Sequence, residues 1–178
     1  MEINLEKQPE YEDQVEYGGF WIRFAAYLID SIIIGIPLSI LSIIIFIFFF
    51  GATGGLELLL ADSSYFDYEM TDAEAYTIIG SYLGGLALTV IMSVIVYLAY
   101  FAGLHSSKWQ ATLGKKILGL KVTDLAGNRI SFWRALGRYF AMSFISGILL
   151  IGYIVAAFTE KKQSLHDLIA GTVVVKNS

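Results

Sequence analysis

The residues best placed to do chemistry in this chain are an arginine and an aspartate near the start of its first apolar stretch. Arg23 and Asp30 lie seven residues apart, two helical turns, so they share one helix face with Tyr27 between them. An ionised group near the centre of a membrane helix costs about 2.5–3.5 kcal/mol on insertion scales. Arg23 can extend to the membrane surface, whereas Asp30 lies deeper on a short side chain. We therefore expect Asp30 to have a polar partner on another helix or in a hydrated cavity.

A carboxylate inside a membrane can bind either a proton or a cation, which is the chemistry of a coupled ion exchanger. Pro37 follows Asp30 by seven residues, and a proline inside a helix leaves the carbonyl one turn earlier without its donor. With the hydroxyl of Ser31, such a carbonyl could complete an ion site. The other interpretation of Pro37 is a kink that serves helix packing alone.

The rest of the sequence offers little catalytic chemistry. His105 and His166 are the only histidines, and cysteine is absent, which excludes thiol catalysis and thiolate metal ligands. No nucleophile and base stand at a catalytic spacing, and no metal-ligand pattern is complete. The sequence therefore predicts no enzyme, no metal site and no cofactor.

Composition indicates an integral membrane protein. The chain has 178 residues, of which 56% are hydrophobic, above the share typical of soluble domains. Each of three stretches without a charged residue or histidine exceeds the roughly 20 apolar residues that cross a bilayer: 31–56, 75–104 and 139–159. A secreted enzyme, a nucleic-acid-binding module and a disulfide scaffold are excluded.

The distribution of charge predicts the orientation. Residues 104–138 hold seven basic residues and one acid, whereas residues 51–75 hold six acids and no base. Because Lys and Arg in short loops set topology, we expect 104–138 to be cytoplasmic and 51–75 to face outside. The N-terminus then lies in the cytoplasm, and the protein in the cell membrane.

The third apolar stretch has two interpretations. A single crossing would place Lys161 and Lys162 outside, against the charge rule. Two half-length helices, about 132–146 and 148–159 around Gly147, could instead enter the membrane and return. We favour the re-entrant hairpin over a third span.

Short strand patterns follow the second apolar stretch. Alternation at 120–124 and 129–132 around the turn 125–128 predicts a β-hairpin. The run Thr172–Val175 is β-branched and needs a partner, so we expect it to join this hairpin on the same side of the membrane.

The predicted fold is thus an all-α membrane protein with two full transmembrane helices, a third apolar segment and a small cytoplasmic β-hairpin or strand cluster. An acidic leader, 1–19, precedes a single membrane domain, 20–176. Its predicted parts are a first helix at about 20–50, an outer loop at 51–75, a second helix at about 76–103, a basic segment at 104–138, a third membrane segment at about 139–159, and a C-terminal motif and strand at 160–176.

Three separated motifs resemble those of the RDD family of membrane proteins. They read YGGFWIRFAAYLID at 17–30, QATLGKKILGLKV at 110–122 and QSLHDLIAGT at 163–172. The family is named for an arginine and two aspartates, which correspond by motif to Arg23, Asp30 and Asp167. The resemblance covers about residues 17–176, and the acidic loop at 57–74 is the clear departure from it.

The resemblance implies a multi-pass membrane protein, and some family members are described as sodium (lithium, potassium)/proton antiporters. The first hypothesis is accordingly a small monovalent cation/proton antiporter. Its ion- and proton-coupling candidates are Asp30, Arg23 and Asp167, with Tyr27, Ser31 and Pro37 in support, and Asp167 is expected to anchor the C-terminal turn to Arg23 or to the basic segment.

The alternative hypothesis is a non-transporting structural or assembly module of a membrane complex, in which the Arg and Asp residues form an internal ion pair. The expected partners are the lipid bilayer, monovalent cations and protons, and further subunits, because a chain this short needs a homo-oligomer or complex partner to enclose an ion path. Nucleic acid is not an expected partner.

Overall fold

Two long helices dominate the computed structural model, which describes residues 15–61, 69–146 and 155–177. Helix α1 spans Phe20–Gly51, the short helix α2 spans Gly55–Leu60, and α3 spans Asp72–Leu98 with a π-helical continuation at Ala99–Gly103. The two long helices have mean hydropathies of 2.9 and 2.1 over their most apolar windows and are long enough to cross a membrane. Most of their large apolar side chains are exposed, as lipid-facing residues are. The prediction of two spanning helices is confirmed at this level of length and composition.

Local side-chain hydrogen bonds occur near Pro37 of α1 and at the start of α3. Helix α1 stays helical through Pro37, and the hydroxyl of Ser39 donates to the carbonyl of Ile36 at 2.8 Å. Before α3, the Thr71 hydroxyl accepts from the backbone N–H of Glu74 while the Glu74 carboxylate accepts from the Thr71 N–H. This reciprocal cap explains why α3 begins in the acidic segment, a few residues before the predicted start of the second span.

The chain divides into two compact units. In the unit formed by residues 34–96, Phe49 packs on Gly85, where a β-carbon would lie 3.2 Å from that of Phe49. The hydroxyls of Thr53 and Ser81 are 3.0 Å apart. Small residues here allow two helices to approach closely.

The other unit contains the residues up to 33 and from 97 onward. After the basic loop come α4, Leu113–Ile117, and strand β1, Leu120–Asp124. Helix α5 spans Phe132–Phe140 and continues as a π-helix at Ala141–Ser146. A 3-10 turn at Val155–Ala157 is followed by α6, Leu165–Ala170, and β2, Thr172–Lys176.

The two strands contribute Leu120, Val122 and Val174 to the hydrophobic core of this unit. β1 and β2 pair in antiparallel register, with Leu120 opposite Lys176 and Asp124 opposite Thr172, so the expected joining of the C-terminal strand is confirmed. Tyr17 forms a bridge to Val175 on the other edge of β2. The hydrophobic core comprises Ala26, Ala102, Leu120, Val122, Ile130, Ala135 and Val174.

The prediction of a second hairpin strand at 129–132 is wrong. Asp124 closes the turn, because its side chain accepts from the N–H groups of Ala126 and Asn128. The chain then enters α5, with the hydroxyl of Ser131 accepting from the N–H of Arg134 at its N-cap. Because Ser131 caps a helix that begins at Phe132, the segment 129–132 leads into that helix and does not form a strand.

Of the third apolar stretch, α5 and its π-helical continuation cover 132–146, the range of the first predicted half-helix; its entry into the membrane stays a prediction. The second, at 148–159, lies largely outside the described residues, as do the leader to residue 14 and residues 62–68 of the outer loop. A third span is not shown by the residues that the structure describes.

Candidate functional site

Asp30 lies on α1 and is 1% exposed. Its Oδ1 accepts from the hydroxyl of Tyr100 at 2.6 Å and from the backbone N–H of Gly114 at 2.7 Å. Its Oδ2 accepts from the hydroxyl of Thr112 at 2.6 Å. The expected partner on another helix is thus Tyr100, at the π-helical end of the second long helix.

Glycine is required at 114 by this close approach. A β-carbon there would lie 2.8 Å from Asp30 Oδ1 and would also overlap the carbonyl oxygen of Ala26. Only a residue without a side chain lets the N–H reach the carboxylate. The start of α4 therefore docks onto α1 through Asp30.

Asp167 is the second buried carboxylate, fully shielded from solvent. Arg23 forms an ion pair with its Oδ2, and Arg138 of α5 reaches its Oδ1 through Nη2 at 2.6 Å and Nε at 2.8 Å. Ser164 donates to Oδ2 through its hydroxyl at 2.7 Å and its backbone N–H at 3.2 Å. The carboxylate thus connects α1, α5 and α6.

This environment sets the charge of Asp167. Burial alone would raise the pKa of its carboxyl, but Arg138 and Arg23 outweigh burial and hold the pKa well below its usual range. The Nε2 of its neighbour His166 lies 2.9 Å from the Ser164 hydroxyl oxygen. Because that hydroxyl donates its single proton to Asp167, the imidazole N–H is the donor to it. Burial lowers the pKa of His166 to about 3, so that imidazole is neutral at physiological pH.

Arg134 fixes the C-terminal end of α6. Its guanidinium donates to the carbonyls of Ala170 and Gly171, both at 2.6 Å. Gly171 has a φ of 60°, and a β-carbon there would lie 2.6 Å from the Arg134 Nη2. Glycine at 171 therefore ends the helix and admits the arginine.

A buried basic pair lies in the same unit. The Lys115 Nζ is 3.0 Å from His105 Nε2, and both residues are buried. Burial, followed by the charge of Arg138, lowers the pKa of Lys115 to about 7. Burial likewise lowers the pKa of His105 well below its ordinary value, so the imidazole can accept a hydrogen bond from the ammonium.

A cavity of about 30 Å³ lies between these groups, with Arg23, Asp30, Lys115, Arg138 and His166 in its wall. That volume has room for about one water or one small ion. In the part of the chain that the structure describes, no group of three or more His, Asp or Glu side chains could hold a metal ion.

The structure places the sequence-predicted residues in different roles. Arg23, Asp30 and Asp167 are in one unit, and Tyr27 joins Arg23 and Asp30 in the cavity wall. Ser31 is exposed, and its hydroxyl donates to the Tyr27 carbonyl on its own helix at 2.8 Å. Pro37 belongs to the unit of residues 34–96.

Sequence reasoning missed most of the partners of the two aspartates. Sequence patterns do not indicate that Tyr100 contacts Asp30 or that Arg138 contacts Asp167. The available signal was the motif at 110–122, which contains Thr112, Gly114 and Lys115. The glycine and hydroxyl residues of this motif indicate that another segment approaches it closely. They do not indicate which helix that segment belongs to.

Comparison with protein families matches residues 17–171 to the model of the RDD family. The chain belongs to the RDD family. Similar RDD-type proteins occur in Bacillus subtilis: the uncharacterized protein YxaI is 41% identical over 88% of this chain and 95% of its own length. The uncharacterized membrane protein YteJ is 32% identical over 89% of this chain and 80% of its own length. No solved structure gives a significant match.

Proposed function

We propose that this RDD-family membrane protein acts as a structural or assembly module, in which its two buried aspartates fasten the cytoplasmic segments to the membrane helices. One observation carries the proposal: both oxygens of each carboxylate are occupied by donors from the protein itself. Asp30 holds the N-terminal end of α4, and Asp167 holds α6 and α5. The proposal assigns no reaction to the protein.

The hydrogen bonds of the two aspartates favour a structural role over ion exchange. A hydrogen bond to a charged group contributes about 1.5–3 kcal/mol, and Asp30 accepts three. A cation bound to this carboxylate would have to displace one or more of these donors. Two arginines surround Asp167, so a cation there would also meet two positive charges.

Monovalent cation/proton exchange is the second candidate, because two of the three donors to Asp30 are hydroxyls, those of Tyr100 and Thr112. Hydroxyl oxygens can rotate to present lone pairs, and with the carboxylate they form the oxygen ligand set of a small hard cation. In this candidate Asp30 remains the coupling carboxylate, and Lys115 is the neighbouring group that gains or loses the proton.

The bilayer is the proposed partner of α5 and its continuation, because their polarity is inverted. Arg134 and Arg138 turn inward, to carbonyls of the α6 end and to Asp167. The opposite face exposes aromatic rings to the surroundings: Phe132, Trp133, Phe140 and Phe144. An apolar outer face and a charged inner face fit a segment in lipid, and the pairing of β1 with β2 supports its return to the side that it left.

The experiment is reconstitution of the purified chain into vesicles with a pH-sensitive dye inside, followed by pulses of sodium, lithium or potassium. The structural module should move no more protons than empty vesicles, while Asp30→Asn lowers the thermal midpoint in detergent. Glu57→Gln, an exposed carboxylate on α2, is the matched control and should leave both readings unchanged. Ion-driven proton movement that is lost in a stable Asp30→Asn protein would establish the second candidate instead.

A further inference from the structure

The small cavity beside Arg23 has an excess of positive charge. Three basic side chains line it, those of Arg23, Lys115 and Arg138, with Asp30 as the acidic side chain in its wall. Asp167 contacts both arginines from just behind. With Lys115 protonated, these five groups carry one net positive charge in a site almost without solvent.

One buried donor faces no acceptor. Among the described residues, the Nη2 of Arg23 is buried without a hydrogen-bond partner, while its Nη1 binds Asp167 and its Nε donates to Gly18. The Arg23 side chain is only 9% exposed. Lys115 also has spare donor capacity, because an ammonium has three N–H groups and His105 takes one. Buried donors of this kind normally have an acceptor.

We propose that this cavity binds one small monovalent anion of the size of chloride, held by Arg23, Lys115 and Arg138. The volume of about 30 Å³ accommodates a single ion of that size and excludes sulfate or phosphate with their hydration. The bound anion neutralises the surplus positive charge and accepts from the two basic side chains that have donors to spare. This site does not depend on whether the protein is a structural module or an exchanger.

Anion binding at this site is linked to protonation of Lys115. Burial lowers the pKa of Lys115 to about 7, and an anion beside it favours the charged form. The anion should therefore bind more tightly as the pH falls through about 7. The other charged or titratable groups packed around Lys115 are Arg23 and Asp30 on α1, Tyr100 and His105 at the end of the second long helix, Arg138 on α5, and His166 and Asp167 on α6.

The test is the thermal midpoint of the purified full-length chain in detergent, with sodium chloride or sodium gluconate at equal ionic strength, at pH 6 and pH 9. Chloride should raise the midpoint in a saturable manner, more strongly at pH 6. Lys115→Met should remove the effect of chloride, and Lys116→Met, which changes the neighbouring exposed lysine, should retain it. Crystals soaked in bromide should show one anomalous peak next to Arg23.

Three results would overturn the site. Equal midpoints in chloride and gluconate at both pH values would exclude the anion. A chloride effect that persists unchanged in Lys115→Met would place the anion elsewhere. Stabilisation by sodium at constant chloride, compared with N-methylglucamine, would assign the cavity to a cation.

Discussion

Arg23 pairs with Asp167, which is 144 residues further along the chain, although Asp30 lies on the same face of its own helix. The first helix therefore makes two separate tertiary contacts through its charged residues. Its arginine is bound to the C-terminal motif, and its aspartate is bound to the N-terminal end of α4. The three residues for which the family is named, Arg23, Asp30 and Asp167, lie in one unit of the fold. They form two separate contacts and not a triad.

Removing the charge of Asp167 should destabilise the fold strongly. In Asp167→Asn, Arg23 and Arg138 would keep buried positive charges without their counter-charge, which typically costs about 3–5 kcal/mol. Unfolding in detergent with a mild denaturant measures this loss. Glu16→Gln is the control, because its pair with Lys176 is exposed and such pairs contribute about 0–1 kcal/mol. Similar losses for the two variants would contradict the role of Asp167.

Combined substitutions should test which residue neutralises Arg23. Arg23→Gln together with Asp167→Asn should recover part of the lost stability, since only Arg138 stays unpaired. Arg23→Gln together with Asp30→Asn should give losses that simply add, because the two residues belong to separate contacts. A double-mutant cycle on purified protein measures both. Strong coupling between Arg23 and Asp30 would show that the two contacts act as one.

A methyl group at residue 114 should disturb the Asp30 site. In Gly114→Ala the new carbon would overlap Asp30 and the Ala26 carbonyl, and overpacking of this kind costs about 1–3 kcal/mol. Gly137→Ala is the matched control on α5, where no described atom lies within 4 Å of the new carbon. It should be neutral or stabilising by up to about 1 kcal/mol, because alanine favours helix. The thermal midpoint should fall in Gly114→Ala and should stay the same or rise in Gly137→Ala.

Local patterns predicted the elements of this fold better than its contacts. The length of the stretches without charged residues predicted both long helices. The run of β-branched residues predicted the strand at the C-terminus. The prediction failed at 129–132, where Ser131 begins a helix through a capping bond that alternation of residue types does not reveal. Asp30 could be predicted to need a partner because burial of an unpaired charge is unfavourable. That the partners would be Thr112 and Gly114 depends on tertiary packing, which sequence periodicity does not encode.

Membrane sidedness can be tested with single cysteines, since the chain has none of its own. Three exposed residues are suitable for single substitution by cysteine: Glu57, Lys108 and Asn177. With the N-terminus in the cytoplasm and a re-entrant third segment, an impermeant thiol reagent applied to whole cells should label only position 57. Labelling of position 177 from outside, with 108 protected, would mean that the third segment crosses the membrane.

Stability should rise with pH above neutrality because of Lys115. Its pKa is about 7 in the folded protein and 10.5 in its ordinary state, so between these values the unfolded chain binds more protons than the folded one. The free energy of unfolding therefore increases with pH across this window, by at most about 1.4 kcal/mol per pH unit. Well below pH 7 both states bind the proton, so Lys115 adds no slope there. Unfolding at pH 7.5 and pH 9.5 in chloride-free gluconate buffer measures the increase. Lys115→Met should abolish it while Lys116→Met retains it, and an unchanged slope in Lys115→Met would assign the pH dependence to another group.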